Sequence, residues 1–333
     1  MLLAVDVGGS KTRLGLFEPA PRRPRPVAIR TYLTNDHAGF GDLLDAFTRE
    51  VHTPFAVDAA VAGVAGPVVG GTARLTNVDW QISAGDIAAR LHTPRVRLLN
   101  DLEAMALGAG VLDPGELAQL QRGVAGEVGS AAVIAAGTGL GVAYLHRING
   151  RLRPVASEGG HADFSARTDR EIELVRMLRR VYGRAEVEHV LSGPGLLNLH
   201  RFTHGGADCR AIRGLDQIRA PAGVSQAALE GSCPLCVEAL SLFVEAYGAE
   251  AGNLALRGVA TSGVFIGGGI APNILPALQD GRFMQAFRAK GAMSALVARI
   301  PVSVILMPEA GLLGAAVCAQ ELMGEPGQVE RTL

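Results

Sequence analysis

Aromatic residues make up only 5% of the 333-residue chain, with a single tryptophan, and the formal net charge is -1. A nucleic-acid partner needs a basic face, usually with interleaved aromatics on which bases stack. The basic clusters Arg22–Arg25 and Arg176–Arg180 are short and carry no aromatic, so no nucleic-acid partner is expected. The four cysteines, Cys209, Cys233, Cys236 and Cys318, are too sparse for a disulfide scaffold and read as reduced thiols. No apolar run reaches the ~20 residues that cross a bilayer. The longest, residues 131–145, is short and broken by glycines. At the amino terminus a basic n-region is missing and Asp6 interrupts the apolar run, so the expected location is the cytoplasm, with no membrane role.

What is present is a globular composition, 48% hydrophobic and 19% charged, with 43 glycines. At about 100 to 200 residues per domain, the length suggests two domains. Short β-branched or apolar runs alternate with turn residues over the first hundred residues, interrupted by helical spacing at Leu43, Leu44, Phe47 and Val51. Helical patterns dominate later, over 169–183, 185–190, 194–203, 225–230, 234–257 and 273–290. In the first of these, Ile172, Val175, Leu178 and Tyr182 fall at helical spacing and Arg176–Arg180 read as its wet face. The fold class is α/β. By content we place a smaller domain over 1–110, completed by a C-terminal helix at about 311–325, and a larger one over 111–310.

One internal echo stands out. Leu3–Ser10, with the strand after it, resembles Val133–Gly141, with the strand after that. Each is an apolar strand, a glycine turn holding a hydroxyl residue, and another strand, the mark of a duplicated scaffold. Gly137-Thr-Gly-Leu-Gly141 invites a dinucleotide-binding reading, but its third glycine comes one residue early and a strand follows where a helix is required. The phosphate-loop pattern G-x-x-x-x-G-K-[ST] is absent as well. What remains are hairpin turns whose backbone N–H groups can face phosphate oxygens, although most glycine turns are only turns.

The carboxylates are individually bland. Asp6 ends an apolar strand, where burial demands a cation or hydrogen bonds. Asn100 and Asp101 end another and precede a helix, so Asp101 suits a helix cap. Glu158 and His161 lie in the polar run Ser157–Phe164, and Glu188 in the expected helix 185–190. Together, Asn100, Asp101, Glu158, His161 and Glu188 supply the acceptors and donors that grip a polyhydroxylated ligand while one carboxylate accepts a hydroxyl proton. Cys233-Pro-Leu-Cys236 is half of a zinc signature. With no second C-x-x-C, and with His204 and Cys209 well upstream, it reads first as a structural pair at a helix start.

The motifs Asp6–Ser10, Leu99–Asp101, Ala136–Val142, Ser157–Phe164, Val190–Leu196, Phe265–Ile270 and Gly311–Ala315, in this order and spread over the whole chain, resemble the bacterial glucokinase family. That family belongs to the hexokinase, actin and heat-shock-chaperone superfold, in which two ribonuclease H-like domains close on ATP and sugar. The resemblance implies ATP-dependent phosphorylation of D-glucose at its 6-hydroxyl, with Mg²⁺, in a homodimer. Asp101 would be the general base and Asn100 would hold the sugar, with Glu158, His161, Glu188 and Gly137 on its other groups. Asp6, Val7, Gly8, Gly9, Ser10, Lys11 and Thr12, with Gly137, Thr138 and Gly139, would cradle the phosphates. Asp6 would help place Mg²⁺ through water, and Gly267, Gly268 and Gly269 would lie against adenosine. Lys11 departs from the family's usual G-G-T-N, and resembles the related repressor and sugar-kinase family. That family's cysteine-rich zinc loop after the histidine is missing here, so His161 is expected to bind sugar and no zinc site is expected. Two alternatives stay open: a kinase for mannose, fructose or an N-acetylated amino sugar, and a non-kinase actin-like ATPase.

Overall fold

The computed structural model describes residues 1–51, 56–75, 78–124, 129–148 and 150–324. The chain divides into two compact units, one of Met1–Asp113 completed by the chain from Glu309 on, the other of Pro114–Pro308.

In the first unit the strands are β1 (Leu2–Val7), β2 (Lys11–Glu18), β3 (Arg25–Leu33), β4 (Ala59–Val64), β5 (Val68–Val69), β6 (Thr72–Arg74), β7 (Gln81–Ser83) and β8 (Val96–Asn100). Its helices are α1 (Phe40–Glu50), α2 (Ala84–Leu91), α3 (Asp101–Ala109) and the C-terminal helix Ala310–Gly324; residue 325, at the end of the expected helix, lies outside the described residues. The main sheet runs β3-β2-β1-β4-β8, and β5, β6 and β7 form a small sheet of their own. The strands β1, β2 and β3 pair antiparallel, and β1, β4 and β8 pair parallel. Every residue of β4 is buried, the all-apolar pattern of a parallel strand covered on both faces.

The second unit holds β9 (Leu117–Gln121), β10 (Ala131–Ala136), β11 (Leu140–Ile148), β12 (Arg151–Ser157), β13 (Gly263–Gly267) and β14 (Val302–Ile305) in the order β12-β11-β10-β13-β14-β9. Its long helices are α4 (Asp169–Tyr182), α5 (Gly193–His204), α6 (Ala220–Leu229) and α7 (Pro234–Arg257). The plan of the first sheet returns: β12, β11 and β10 are antiparallel, then β10, β13 and β14 are parallel. The two turns also match in length, three residues in each case, Gly8–Ser10 between β1 and β2 and Gly137–Gly139 between β10 and β11. Fully buried Tyr247 on α7 joins the middle of this sheet, its hydroxyl 3.3 Å from the Ala136 amide and 3.4 Å from the Gly267 carbonyl.

Three local expectations change. Residues 185–190 form a bridge and turns rather than a helix, because the Val187 and Glu188 amides donate to the carbonyls of Ala162 and Gly160, each at 2.9 Å. The helical pattern at 273–290 breaks into Ile270–Asn273, Leu275–Gln279 and Arg282–Arg288, with Gly281 at φ 102° between the last two. On α4 the inner face is Glu171, Leu174 and Leu178, whereas Ile172 and Tyr182 are exposed. Glu171 is tolerated inside because it binds both the amide and the guanidinium of Arg167.

No single helix among the described residues is long and apolar enough to cross a membrane.

Candidate active site

In the first unit, strand register assembles the expected residues at the carboxyl ends of β1, β4 and β8, where open α/β sheets bind ligands. Asp6 lies opposite Gly63, which lies opposite Leu99, and the next row is Val7, Val64 and Asn100. Two strand spacings separate Asp6 from the Asn100–Asp101 pair, about 10 Å.

Asn100 caps α3. Its Oδ1 accepts the Leu102 amide at 2.9 Å, and Glu103 Oε2 accepts the Asn100 amide at 3.0 Å, a reciprocal capping box. The Asn100 Nδ2 group donates to the Gly66 carbonyl at 3.1 Å. The cap is therefore Asn100, whereas residue preferences alone offer Asp101. Asp101 is instead the first helical residue, part-buried, with Oδ1 accepting the Leu102 amide at 2.9 Å. A helix N-terminus favours negative charge, and an ionised carboxylate is what a hydroxyl proton requires.

The first turn is braced from β3's end. Gly8 donates its amide to the Lys11 carbonyl at 3.0 Å, and the Thr34 amide donates to the Ser10 carbonyl at 3.1 Å. Thr34 Oγ1 lies 2.9 Å from the Gly8 carbonyl and 3.0 Å from Thr12 Oγ1. Val7 and Thr12 are fully buried, so both serve the turn as supports, while Ser10 and Lys11 are exposed. Asp6 is about a quarter exposed, 24%, and meets Arg13 across the hairpin at 3.4 Å. Burial raises its pKa and the Arg13 guanidinium opposes that rise. A Cβ on Gly311, in the first turn of the C-terminal helix, would lie 3.6 Å from the Asp6 carboxyl carbon, so glycine leaves that side of the carboxylate uncrowded. One partly exposed carboxylate beside a glycine turn fits Mg²⁺, which keeps several waters and takes few protein ligands.

In the second unit one cluster gathers Gly137–Gly139, Glu158, His161 and Glu188. Glu188 Oε2 accepts the Leu140 amide at 2.7 Å, and the Gly193 amide donates to the Gly137 carbonyl at 2.8 Å. The 158–161 loop lies against the same turn, with a Cβ on Gly160 colliding with the Leu140 carbonyl. The imidazole of His161 is 57% exposed, and its Nδ1 sits 2.9 Å from Glu186 Oε2. The hydrogen bond to Glu186 is the main reason its pKa rises above 6.5, with Glu188 and Glu158 adding to it. Glu186 is lowered by the same bond. Beside this cluster, Ala135 pairs with Gly267, and Gly268, at φ 83°, lies against the Ala136 carbonyl, so the 267–269 turn and the second hairpin share one sheet edge.

The comparisons with known proteins follow this geometry. The glucokinase family model matches residues 3–322. A curated glucokinase from Synechocystis sp. is 39% identical over 346 aligned positions, covering 96% of this chain and 98% of the relative. The chain belongs to the glucokinase family. The crystal structure of a glucokinase from an Antarctic psychrotroph has a TM-score of 0.85 and 29% identity, covering 96% of this chain and 98% of the other. A ROK family glucokinase from Streptomyces griseus, solved in complex with glucose and AMPPNP, shares the fold at a TM-score of 0.63 and 22% identity, covering 96% and 99%.

Residue patterns alone missed several members of this glucokinase-family site. Glu186 holds His161, Arg13 faces Asp6, and Thr34 braces the first turn. Only Arg13 was within reach of local reasoning, since a hairpin pairs Asp6 with the seventh residue after it. The other two act across 25 and 26 residues.

Proposed function

We propose that this glucokinase-family protein transfers the γ-phosphoryl group of ATP to the 6-hydroxyl of D-glucose, with Asp101 accepting the hydroxyl proton as the oxygen attacks and ADP departs. The carrying observation is the division of labour at the start of α3, where Asn100 caps the helix and Asp101 stands one residue on, two strands from Asp6.

Glu158, His161, Glu188 and Gly137 of the second unit hold the other sugar hydroxyls, and Asn100 of the first unit binds the sugar as well. The turns direct the backbone N–H groups of Gly9 and Ser10, and of Thr138 and Gly139, at the phosphates, since the Gly8 and Gly137 amides close their own turns, and Lys11 adds a positive charge. Asp6 would hold Mg²⁺, a divalent cation that when bound supplies neutralisation of the phosphate charge. Gly267, Gly268 and Gly269 receive the adenosine. Phosphoryl transfer leaves a protein mainly positioning and charge neutralisation to do, and these residues supply both. The family resemblance further implies a homodimer in the cytoplasm.

A coupled assay of ADP release over glucose, mannose, fructose and N-acetylglucosamine tests the reading. Glucose should give the largest kcat/KM, and an equal rate without sugar would sink it. Asp101→Ala should reduce turnover by about 10² to 10⁴-fold, the usual span of general-base catalysis, while sparing most of the sugar affinity.

A further inference from the structure

Five metal-ligating side chains from two separate segments meet in the second unit: His200 and His204 on α5, Cys209 after it, and Cys233 and Cys236 at the start of α7. The histidines are four residues apart, which puts both on one face of the helix. One ligand atom from each of His200, His204, Cys209 and Cys236 lies within 4.8 Å of the other three, and all four residues are buried.

The separations match an absent ion. Zinc bonds of about 2.3 Å to sulfur and about 2.0 Å to nitrogen give tetrahedral edges of about 3.8 Å between two sulfurs and about 3.5 Å between sulfur and nitrogen. Cys209 Sγ and Cys236 Sγ are 3.7 Å apart, the edge two zinc-bound sulfurs span, while Cys233 Sγ, outside this set of four, lies 3.5 Å from His204 Nε2. The imidazoles are also oriented for ligation. His204 Nδ1 donates to the His200 carbonyl at 2.9 Å, which leaves Nε2 with the lone pair, the usual outer contact of a metal-bound histidine. His200 is 5% exposed, and its Nε2 is the buried side-chain polar atom without a hydrogen-bond partner among the described residues. Such orphans are rare in folded proteins, and an ion would satisfy this one. A cavity lined by Cys209, Ala211, Cys233 and Pro234 opens onto the cluster and gives an entry path.

We propose that His200, His204, Cys209 and Cys236 form a closed structural Zn²⁺ site, with Cys233 beside it as a fifth donor. Binding releases the two thiol protons, and two thiolates with two neutral imidazoles balance the ion's charge, as burial requires. This departs from the expectation of no zinc site, which rested on the missing loop after His161 and on the lack of a second C-x-x-C to complete Cys233 and Cys236. His204 lies twelve residues along α5 from Ser192, its cap, or about 18 Å, so the ion clamps α5 to α7 and takes no part in phosphoryl transfer.

Metal analysis of the full-length protein, purified reduced from zinc-supplemented cells, should find about one zinc per chain in the wild type and in Cys318→Ser, as a single closed site requires. His204→Ala and the double variant Cys233→Ser/Cys236→Ser, which removes the spare donor as well, should fall below about a tenth of that. Reduced, metal-free wild type should take up Co²⁺ with the intense visible bands and thiolate charge-transfer of a tetrahedral sulfur-ligated ion, lost on adding zinc. The cobalt spectrum decides the matter even if both variants fail to fold. Wild type that binds neither metal, full zinc in the double variant Cys233→Ser/Cys236→Ser, or a Cys209–Cys236 disulfide in protein prepared without oxygen would overturn the proposal.

Discussion

Glu188 closes the second hairpin turn: its Oε2 accepts the Leu140 amide at 2.7 Å, and a Cβ on Gly139 would come within 2.7 Å of the same oxygen. A side chain proposed to hold sugar is thereby tied to the turn proposed to hold phosphate. Glu188→Gln keeps an acceptor for the amide and loses the charge, whereas Glu188→Ala loses both. A charge-assisted hydrogen bond contributes about 1.5 to 3 kcal/mol. The glutamine variant should therefore raise the KM for glucose roughly 10 to 100-fold with little change for ATP. The alanine variant should raise both, and steady-state kinetics with each substrate varied will separate the two.

His161 and Glu186 form a pair in which each shifts the other, the imidazole upward and the carboxyl downward. The pKa of His161 stands above 6.5 in the folded protein, chiefly through the Glu186 hydrogen bond. A raised histidine pKa adds stability below the unfolded value, and that stability is lost as pH rises through the folded pKa. Imidazole NMR should show His161 titrating above 6.5, and Glu186→Gln should bring it down toward 6.5. An unmoved titration in Glu186→Gln would remove the pair from its role.

Lys11 is exposed at the start of β2, and no side-chain hydrogen bond or ion pair holds it among the described residues. Lys11→Met should leave the melting temperature nearly unchanged, since surface substitutions stay within about 0.5 kcal/mol. If the lysine reaches phosphate, the KM for ATP should rise about tenfold, the cost of roughly 1.4 kcal/mol, with the KM for glucose unaffected.

The C-terminal helix and α3 touch backbone to backbone. A Cβ on Gly314 would collide with the Ala104 carbonyl, and one on Gly108 with the Ala310 carbonyl. Gly314→Ala should cost about 1 to 3 kcal/mol or more of stability by overpacking and should also lower turnover, because α3 starts at Asp101. Gly324→Ala, whose Cβ would meet nothing within 4 Å, is the control. Urea unfolding of the three proteins checks this.

Local chemistry made much of the site legible. Glycine turns between apolar strands announce themselves, and the paired acceptors at Asn100 and Asp101 are visible where a strand ends. The boundaries of α7 follow from Pro234 at one end and loss of periodicity at the other. What local reasoning missed depends on distant partners. Residues 185–190 have helical spacing, yet their amides are claimed by Gly160 and Ala162. The cap is the exception, a local signal passed over: Asp101 suits a cap by residue preference, but the Asn-x-x-Glu spacing of Asn100 and Glu103 already names Asn100. The four-residue metal cluster draws Cys236 from 27 positions beyond Cys209, a distance at which spacing alone is mute.

The two sheets share a plan and two turns of equal length, but the strand position next to last before the turn is Asp6 in one and Ala135 in the other. A carboxylate beside an anion-binding turn repels the anion unless a cation stands between them, while an alanine imposes no such condition. The two halves therefore differ in where their carboxylate comes from: the first turn has Asp6 in its own strand, whereas the second borrows Glu188 from a loop further along the chain, its Oε2 taken up by the Leu140 amide.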